Sequence, residues 1–236
     1  MKIGIMQPYF FPYIGYWQLI NAVDKYVIYD DVNYIKGGWI NRNRILINDK
    51  PSFINLKMNG SSPNKLIKEI HVSNDNRWKN KLLKSIELSY RKAPFFEMSF
   101  PIIEEIINHD EVNLSLYLEN LIKRIAEYLE MNTEFVLSSN IEKDNSLKGQ
   151  DKVIEICKSL GAKEYYNAIG GVELYSAENF NSYGIELRFL RTEYIEYKQF
   201  KNDFSPYLSI IDVMMFNSKE EIMNIYFEEI EKWKEY

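Results

Sequence analysis

The chain has 236 residues, 46% of them hydrophobic, enough for a full core in one large unit or a main unit with a helical insert; its formal net charge of −5 argues against a nucleic-acid protein in which phosphate neutralisation dominates, and no DNA partner is expected. No run of 18 apolar residues occurs and MKIGIMQP lacks a signal-like apolar stretch, so no membrane span and a cytoplasmic location are expected. The single cysteine, Cys157, excludes an intrachain disulfide and reads as a core residue, and the two histidines, His71 and His109, lack ligand-spaced partners, so no metal held by protein ligands is expected.

Ile3 and Ile5 predict a short strand closed by Met6, and Pro8 and Pro12 deny helix to the residues before them, so residues 7–13 are expected as a rigid loop. From Gly15 the apolar positions Trp17, Leu19, Ile20 and Val23 fit a short helix, and Lys25 to Tyr29 fits a strand delivering Asp30 and Asp31 to its end. Residues 44–47 and 52–57 fit two strands joined by Asn48-Asp49-Lys50-Pro51 as a hairpin. A loop at 60–64 and a strand around 67–72 follow. Trp78, Leu82, Ile86 and Tyr90 recur every four residues and predict an amphipathic helix broken at Ala93-Pro94. Pro101, suited to a first turn, opens a second helix running to His109, and Leu114, Tyr117, Leu118, Leu121, Ile122, Ile125 and Leu129 trace a third.

The α/β pattern then returns, with a strand at 134–138, a helix at 150–160 stopped by Gly161, a strand at 164–167, a short helix at 177–181 and a strand at 185–190. Two helices, 209–216 and 219–233, close the chain, with Ser218 as an amino-terminal cap. The fold class expected is α/β: a three-layer, Rossmann-like and mainly parallel sheet with a helical insert and a helical C-terminus. Residues 1–75 would form an amino-terminal α/β half carrying the main site motif, 76–131 a helical subdomain and 132–236 a second α/β half, all in one compact unit.

Candidate site residues concentrate in the opening block. Gln7, Tyr13, Gly15 and Tyr16 lie in the first βα loop, the ligand edge of an open parallel sheet. Gly15 at the first helical turn lets a phosphate or ribose approach the backbone, while the helix start offers unpaired N–H groups. Asp30 and Asp31 could orient a ribose, hold a substrate-borne metal or act as a general base; adjacent strand residues alternate direction, so one faces the crevice, Asp30 being preferred and Asp31 left open. In KGGWINRNR, Lys36, Arg42 and Arg44 suit phosphates, Arg42 and Arg44 sharing one face of a strand and Asn41 and Asn43 the other, with Trp39 able to stack on a base or sugar. Asn167, Gly170, Gly171 and Tyr175 form a second loop candidate. Gln199, Phe204, Ser205, Ser209 and Asp212 could close the site, although the serines equally read as caps and Asp212 as a buried structural acid.

The run MQPYFFPYIGYWQLINAVDKYVIYDDVNYIKGGWINRNRIL resembles the amino-terminal signature of the WbqC-like family, with echoes in KAPFF, YYNAIGGVELY and FSPYLSIIDVMMFN. That resemblance implies work in the biosynthesis of bacterial O-antigen and other surface polysaccharides. The order strand, Pro-containing loop, Tyr13-Ile14-Gly15-Tyr16, helix and strand ending in Asp is similar, more distantly, to the adenylate-forming nucleotidyltransferases, with tyrosines where those carry histidines. Tyrosine donates a hydrogen bond but is no imidazolium at neutral pH, so the layout carries over more readily than the chemistry.

A step further than the pathway, the expected activity is that of an enzyme attaching an acyl or aminoacyl group, such as glycine, to the amine of an amino-sugar nucleotide. Asp30 would take a proton from the amine, with Tyr16 and Lys36 as the other catalytic candidates. The acyl donor would be an adenylate made from ATP with magnesium, a thioester or an aminoacyl-tRNA. A noncatalytic nucleotide-sugar binding or scaffold protein and a nucleotidyltransferase are the alternatives. An aromatic content of 15% leaves room for a homodimer interface.

Overall fold

The computed structural model describes residues 1–192, 196–200 and 203–226. Strand β1 (Lys2–Met6) is followed by helix α1 (Ile14–Asn21) and strand β2 (Lys25–Ile28), as the opening block predicts. A hairpin of β3 (Arg42–Ile47) and β4 (Lys50–Asn55) and a small pair of β5 (Met58–Asn59) with β6 (His71–Val72) come next. Helices α2 (Asn76–Tyr90), α3 (Phe96–Asn108) and α4 (Leu114–Tyr128) lead to β7 (Glu134–Leu137), α5 (Gly149–Ser159), β8 (Glu164–Ala168), α6 (Ala177–Ser182), β9 (Glu186–Leu190), α7 (Ile210–Phe216) and α8 (Lys219–Tyr226). Residues 227–233 of the last predicted helix lie outside the described residues.

The central sheet has five strands in the order β7-β2-β1-β8-β9, and every neighbouring pair is parallel. The chain builds outward from β1 through β2 to β7, then returns to the other side of β1 for β8 and β9. The direction of winding therefore reverses between β1 and β8, and there the carboxyl ends of the strands open a crevice.

Alternation along the strands sends side chains to two separate cores. Ile3, Ile5 and Val27 pack with Val153, Ile156 and Phe180 of α5 and α6. Tyr26 and Ile28 face the other way, into a larger core shared with Trp17 of α1, Ile86 of α2, Ile103 of α3, Leu121 of α4 and Ile211 of α7. The result is a three-layer, Rossmann-like α/β arrangement in which the helices between β2 and β7 pack on the same apolar body as one sheet face. Among the described residues no helix is long and apolar enough to cross a membrane.

Three local expectations are corrected. The helix expected from Pro101 starts at Phe96 and takes Pro101 inside it. Its start is docked on α7: the Phe95 N–H donates to the Met215 carbonyl at 3.1 Å and the Ser99 hydroxyl to the Met214 carbonyl at 2.7 Å, outweighing the amide hydrogen bond that proline cannot make. The hairpin turn is shorter than expected, because Asn48 and Asp49 both take positive φ (51° and 59°) and let Lys50 and Pro51 pair with Ile47 and Leu46. The strand expected at 67–72 is a 3-10 turn, Ile67–Glu69, followed by the two residues of β6.

Candidate functional site

A cavity of ≈ 710 Å³ opens at the carboxyl ends of β1, β8 and β9, where the sheet reverses its winding. Its floor is Met6 at the end of β1 with Gln7 just after it, and Asn167 and Ala168 at the end of β8. Pro12 and Tyr13, just before α1, form one wall, and Thr192 stands just after β9. Trp39 reaches in from the loop before the hairpin and Asn43 and Arg44 come from β3, with Gly170, Gly171 and Tyr175 also on the wall. Of the residues proposed from sequence, the structure thus brings Gln7, Tyr13, Trp39, Asn43, Arg44, Asn167, Gly170, Gly171 and Tyr175 to one cavity.

The loop from Gln7 to Tyr13 is held from outside the sheet. The Asn43 Nδ2 donates to the carbonyls of Phe10 (3.2 Å) and Phe11 (2.8 Å), and the Ser209 hydroxyl donates to Phe11 at 2.8 Å. These bonds fix Phe11, fully buried, at φ 44°, a left-handed conformation a bulky residue rarely adopts. Asn43 is therefore spent on the loop, while Gln7 and Tyr13 remain on the cavity wall. Gly15 lies just below the wall: a Cβ there would overlap the Thr192 Oγ1 and come within 2.6 Å of the Tyr13 hydroxyl. The close approach that glycine permits is made by the end of β9.

On the far side, the Asn167 Oδ1 accepts from the Ala168 N–H at 2.7 Å, and its amide nitrogen lies where a Cβ on Gly171 would come within 2.7 Å. The 3-10 turn Ile169–Leu174 can lie on that amide because residue 171 has no side chain. Tyr175 packs edge-on to Tyr165 with ring centres 5.5 Å apart, and burial raises its phenol pKa. Burial likewise raises the phenol of Tyr9, also on the wall, whose ring is 5.5 Å from that of Tyr16.

Other proposed residues lie elsewhere. Tyr16 is 2% exposed and gives its hydroxyl to the Gln7 carbonyl at 3.1 Å; burial pushes its pKa far above the usual value, so it is a core residue beneath the loop. Lys36 is exposed and off the cavity wall, and Asn41 accepts from the Tyr34 hydroxyl at 2.8 Å. Arg42 donates to the carbonyls of Gly38 (3.1 Å) and Gly37 and lies over the Phe53 ring. Arg42 and Arg44 do share a hairpin face, while Asn43 is buried on the other, but Arg44 alone of the two reaches the cavity.

The two aspartates at the end of β2 are off the wall as well. Asp30 is 1% exposed and accepts from the Ser115 hydroxyl (2.9 Å), the Ser139 hydroxyl (2.7 Å) and the Ser139 N–H (2.9 Å). Asp31 is paired with Lys143 at 2.8 Å and Lys152 at 3.2 Å and accepts from the Ser138 hydroxyl. Burial would raise its pKa, but the bonds from Lys143 and Ser138 and the charge of Lys152 outweigh it and hold the carboxyl below its usual value. These contacts are those of a closed structural cluster. Its link to the cavity is Tyr29, a wall residue whose ring lies 5.4 Å from the Lys152 ammonium.

The group expected to close the site instead surrounds Asp212. This fully buried acid accepts from Tyr90 at 2.6 Å, Tyr197 at 2.7 Å and Gln199 at 2.7 Å, and burial raises its pKa. Ser209 caps α7, and Ser205 gives its N–H to Gln199. Sequence reasoning missed Tyr9, Tyr29, Ile35, Leu174, Thr192 and Tyr207 on the wall. Tyr9, Tyr29 and Ile35 fall within the aromatic opening block, a signal that could have found them; Thr192 and Tyr207 carry no local signal.

A parallel sheet of this order, with an aromatic and amide-lined cleft at its switch point, defines a Rossmann-like α/β protein. The chain belongs to the WbqC-like protein family, whose sequence model matches residues 7–224. It is 27% identical over 217 residues to a Mycobacterium tuberculosis protein described as "Uncharacterized protein Rv1507c", covering 90% of this chain and 92% of that one. No solved structure matches the chain.

Proposed function

We propose that the cavity binds an amino-sugar nucleotide of bacterial surface-glycan biosynthesis and presents the sugar amine for acyl or aminoacyl transfer. The observation that carries this reading is Arg44, whose guanidinium lies among Trp39 and Tyr207 on the wall of an aromatic cavity at the switch point of a Rossmann-like sheet. A guanidinium suits a diphosphate, Trp39 and the tyrosines suit a base or a sugar face, and the Gln7 amide suits sugar hydroxyls. A volume of ≈ 710 Å³ is in the range that holds such a ligand.

Residue by residue, the roles differ from those expected of a carboxylate-driven enzyme. Arg44 would hold phosphate, Gln7 and Asn167 would orient the sugar, and Tyr13 would donate to a carbonyl oxygen of the donor. A neutral amine attacks an activated acyl group through its own lone pair, so positioning supplies much of the rate. ATP with magnesium would supply an adenylyl group to activate an acid. Of the tyrosine pair standing for the two histidines, however, only Tyr13 lines the cavity, Tyr16 being bonded to the Gln7 carbonyl. A noncatalytic nucleotide-sugar binder is the second reading, favoured by the enclosure of Asp30 and Asp31 in their own hydrogen bonds.

The test is thermal stabilisation of the purified protein by amino-sugar nucleotides, coenzyme A thioesters and ATP, followed by a turnover assay with whichever binds. Stabilisation by an amino-sugar nucleotide that falls about tenfold or more in apparent affinity in Arg44→Ala supports the reading. No stabilisation by any amino-sugar nucleotide sinks it, and stabilisation without turnover for any donor selects the binder.

A further inference from the structure

Positive charge is unevenly spread along this acidic chain. Residues 32–72 hold seven lysines and arginines against two acids, a local excess of five where the whole chain carries −5. They form the β3–β4 hairpin and its flanking loops, part of which is the mouth of the cavity.

On the outer face of that hairpin the Arg42 guanidinium lies 4.6 Å from the centre of the Phe53 ring, and that of Arg44 lies 5.8 Å from the Trp39 ring. The two rings are 6.3 Å apart and tilted by 32°. Cations and rings thus form one cluster, with Phe53 also directly opposite Arg44 in the hairpin register, and its members Arg44 and Trp39 line the cavity as well. The rings are open to solvent, Trp39 40% exposed and Phe53 49%. Backbone carbonyls hold the guanidinium groups, those of Gly37 and Gly38 for Arg42 and that of Tyr207 for Arg44, which orients the charges without cancelling them.

Open rings interleaved with guanidinium groups suit unpaired bases joined by phosphates: the rings accept bases by stacking and the cations sit beside the linking phosphates. An anionic bilayer would favour a broad basic face around an apolar one. A compact cluster at the mouth of a cavity fits a strand end better.

Building on the reading of the cavity as the place where a sugar amine is acylated, we infer that the hairpin holds the single-stranded 3′ end of an aminoacylated RNA, whose terminal ester is the donor. The amine nitrogen bonds to the ester carbonyl carbon, the C–O bond to the terminal ribose breaks, and an amine proton ends on the released ribose hydroxyl. The ester arrives already activated, so the step consumes no nucleoside triphosphate. The rest of the chain carries a net charge of −10, which disfavours close approach of the duplex body relative to the unpaired end.

Fluorescence anisotropy with a labelled RNA stem-loop ending in single-stranded ACCA tests the inference. The comparisons are the same stem-loop without the overhang and vesicles of anionic phospholipid. The overhanging RNA is expected to bind with a shallow salt dependence, of about two to four phosphates, and the blunt one about tenfold or more weakly. Phe53→Ala should lose about fivefold or more, and Lys36→Glu, on the exposed neighbouring loop, should act in the same direction and keeps the test informative if Phe53→Ala does not fold. Equal binding of both RNAs, no binding of either, or capture by vesicles alone overturns the inference. Thermal stabilisation by amino-sugar nucleotides is read on the same samples, since neither substituted residue lines the cavity. Stabilisation without RNA binding removes only the RNA end; RNA binding without stabilisation keeps the hairpin surface and removes the sugar acceptor.

Discussion

Asn43 donates from Nδ2 to the carbonyl of Phe11 at 2.8 Å, joining the hairpin to a loop residue held at φ 44°. A buried amide thereby secures a strained backbone that shapes one cavity wall. Asn43→Ala leaves the Phe10 and Phe11 carbonyls short of a donor and should cost about 1–3 kcal/mol. Asn43→Asp should cost more at neutral pH, because it sets a carboxylate against two carbonyl oxygens. Urea unfolding of both variants checks the order, and a wild-type midpoint in either would remove the clamp.

The contact between Gly15 and Thr192 can be isolated by a double-mutant cycle. Gly15→Ala drives a methyl group into the Thr192 hydroxyl and toward Tyr13, and should destabilise by about 1–3 kcal/mol. In a Thr192→Ala background the same change should cost clearly less, since the hydroxyl it meets is gone. Additive costs would mean that the β9 end does not press on α1 in solution.

Acid stability should track Asp31. Its folded pKa lies below the unfolded value of about 3.9, so its contribution is complete above that pH and is lost as pH falls through the folded pKa. Thermal melts from neutral to strongly acidic pH should therefore show a steep acid limb. Asp31→Asn should flatten that limb while lowering the neutral plateau, because Lys143 and Lys152 lose their counter-charge. An unchanged limb would move the acid transition to other carboxylates.

Cys157 is fully buried, and burial pushes its thiol up to about 12. The native protein should resist thiol alkylation at neutral pH and react only as it unfolds. Alkylation rates rising in step with urea unfolding would make Cys157 an internal reporter of global opening; rapid labelling without denaturant would contradict its burial.

What could be read from sequence was what depends on neighbours along the chain. The stripe through Leu118, Leu121, Ile122 and Ile125 places α4, and the β-rich KYVIY places β2, because a helix face or a strand pleat repeats locally. The start of α3 was not legible, since its reason lies in Met214 and Met215 more than a hundred residues on. The aspartates illustrate the same limit at the site. Asp30 and Asp31 look like free acids at a strand end until Ser115, Ser138, Ser139, Lys143 and Lys152 arrive from distant segments. Gln7, Tyr13 and Arg44 were legible because a βα loop and a basic hairpin announce themselves locally, whereas Tyr207 reaches the wall only through the tertiary fold.

The pairing of β1 with β8 sets Ile3 beside Tyr165, so the floor of the cavity joins segments about 160 residues apart. During synthesis the opening block emerges first but cannot form a binding site by itself, because the opposite wall and Tyr207 have yet to be made. Such high contact order delays closure of the sheet and leaves the aromatic opening exposed in the nascent chain, a period in which it is prone to association. On the proposed function, ligand binding would therefore report completed folding, and the bound ligand would shift the balance from partly assembled chains to the finished sheet.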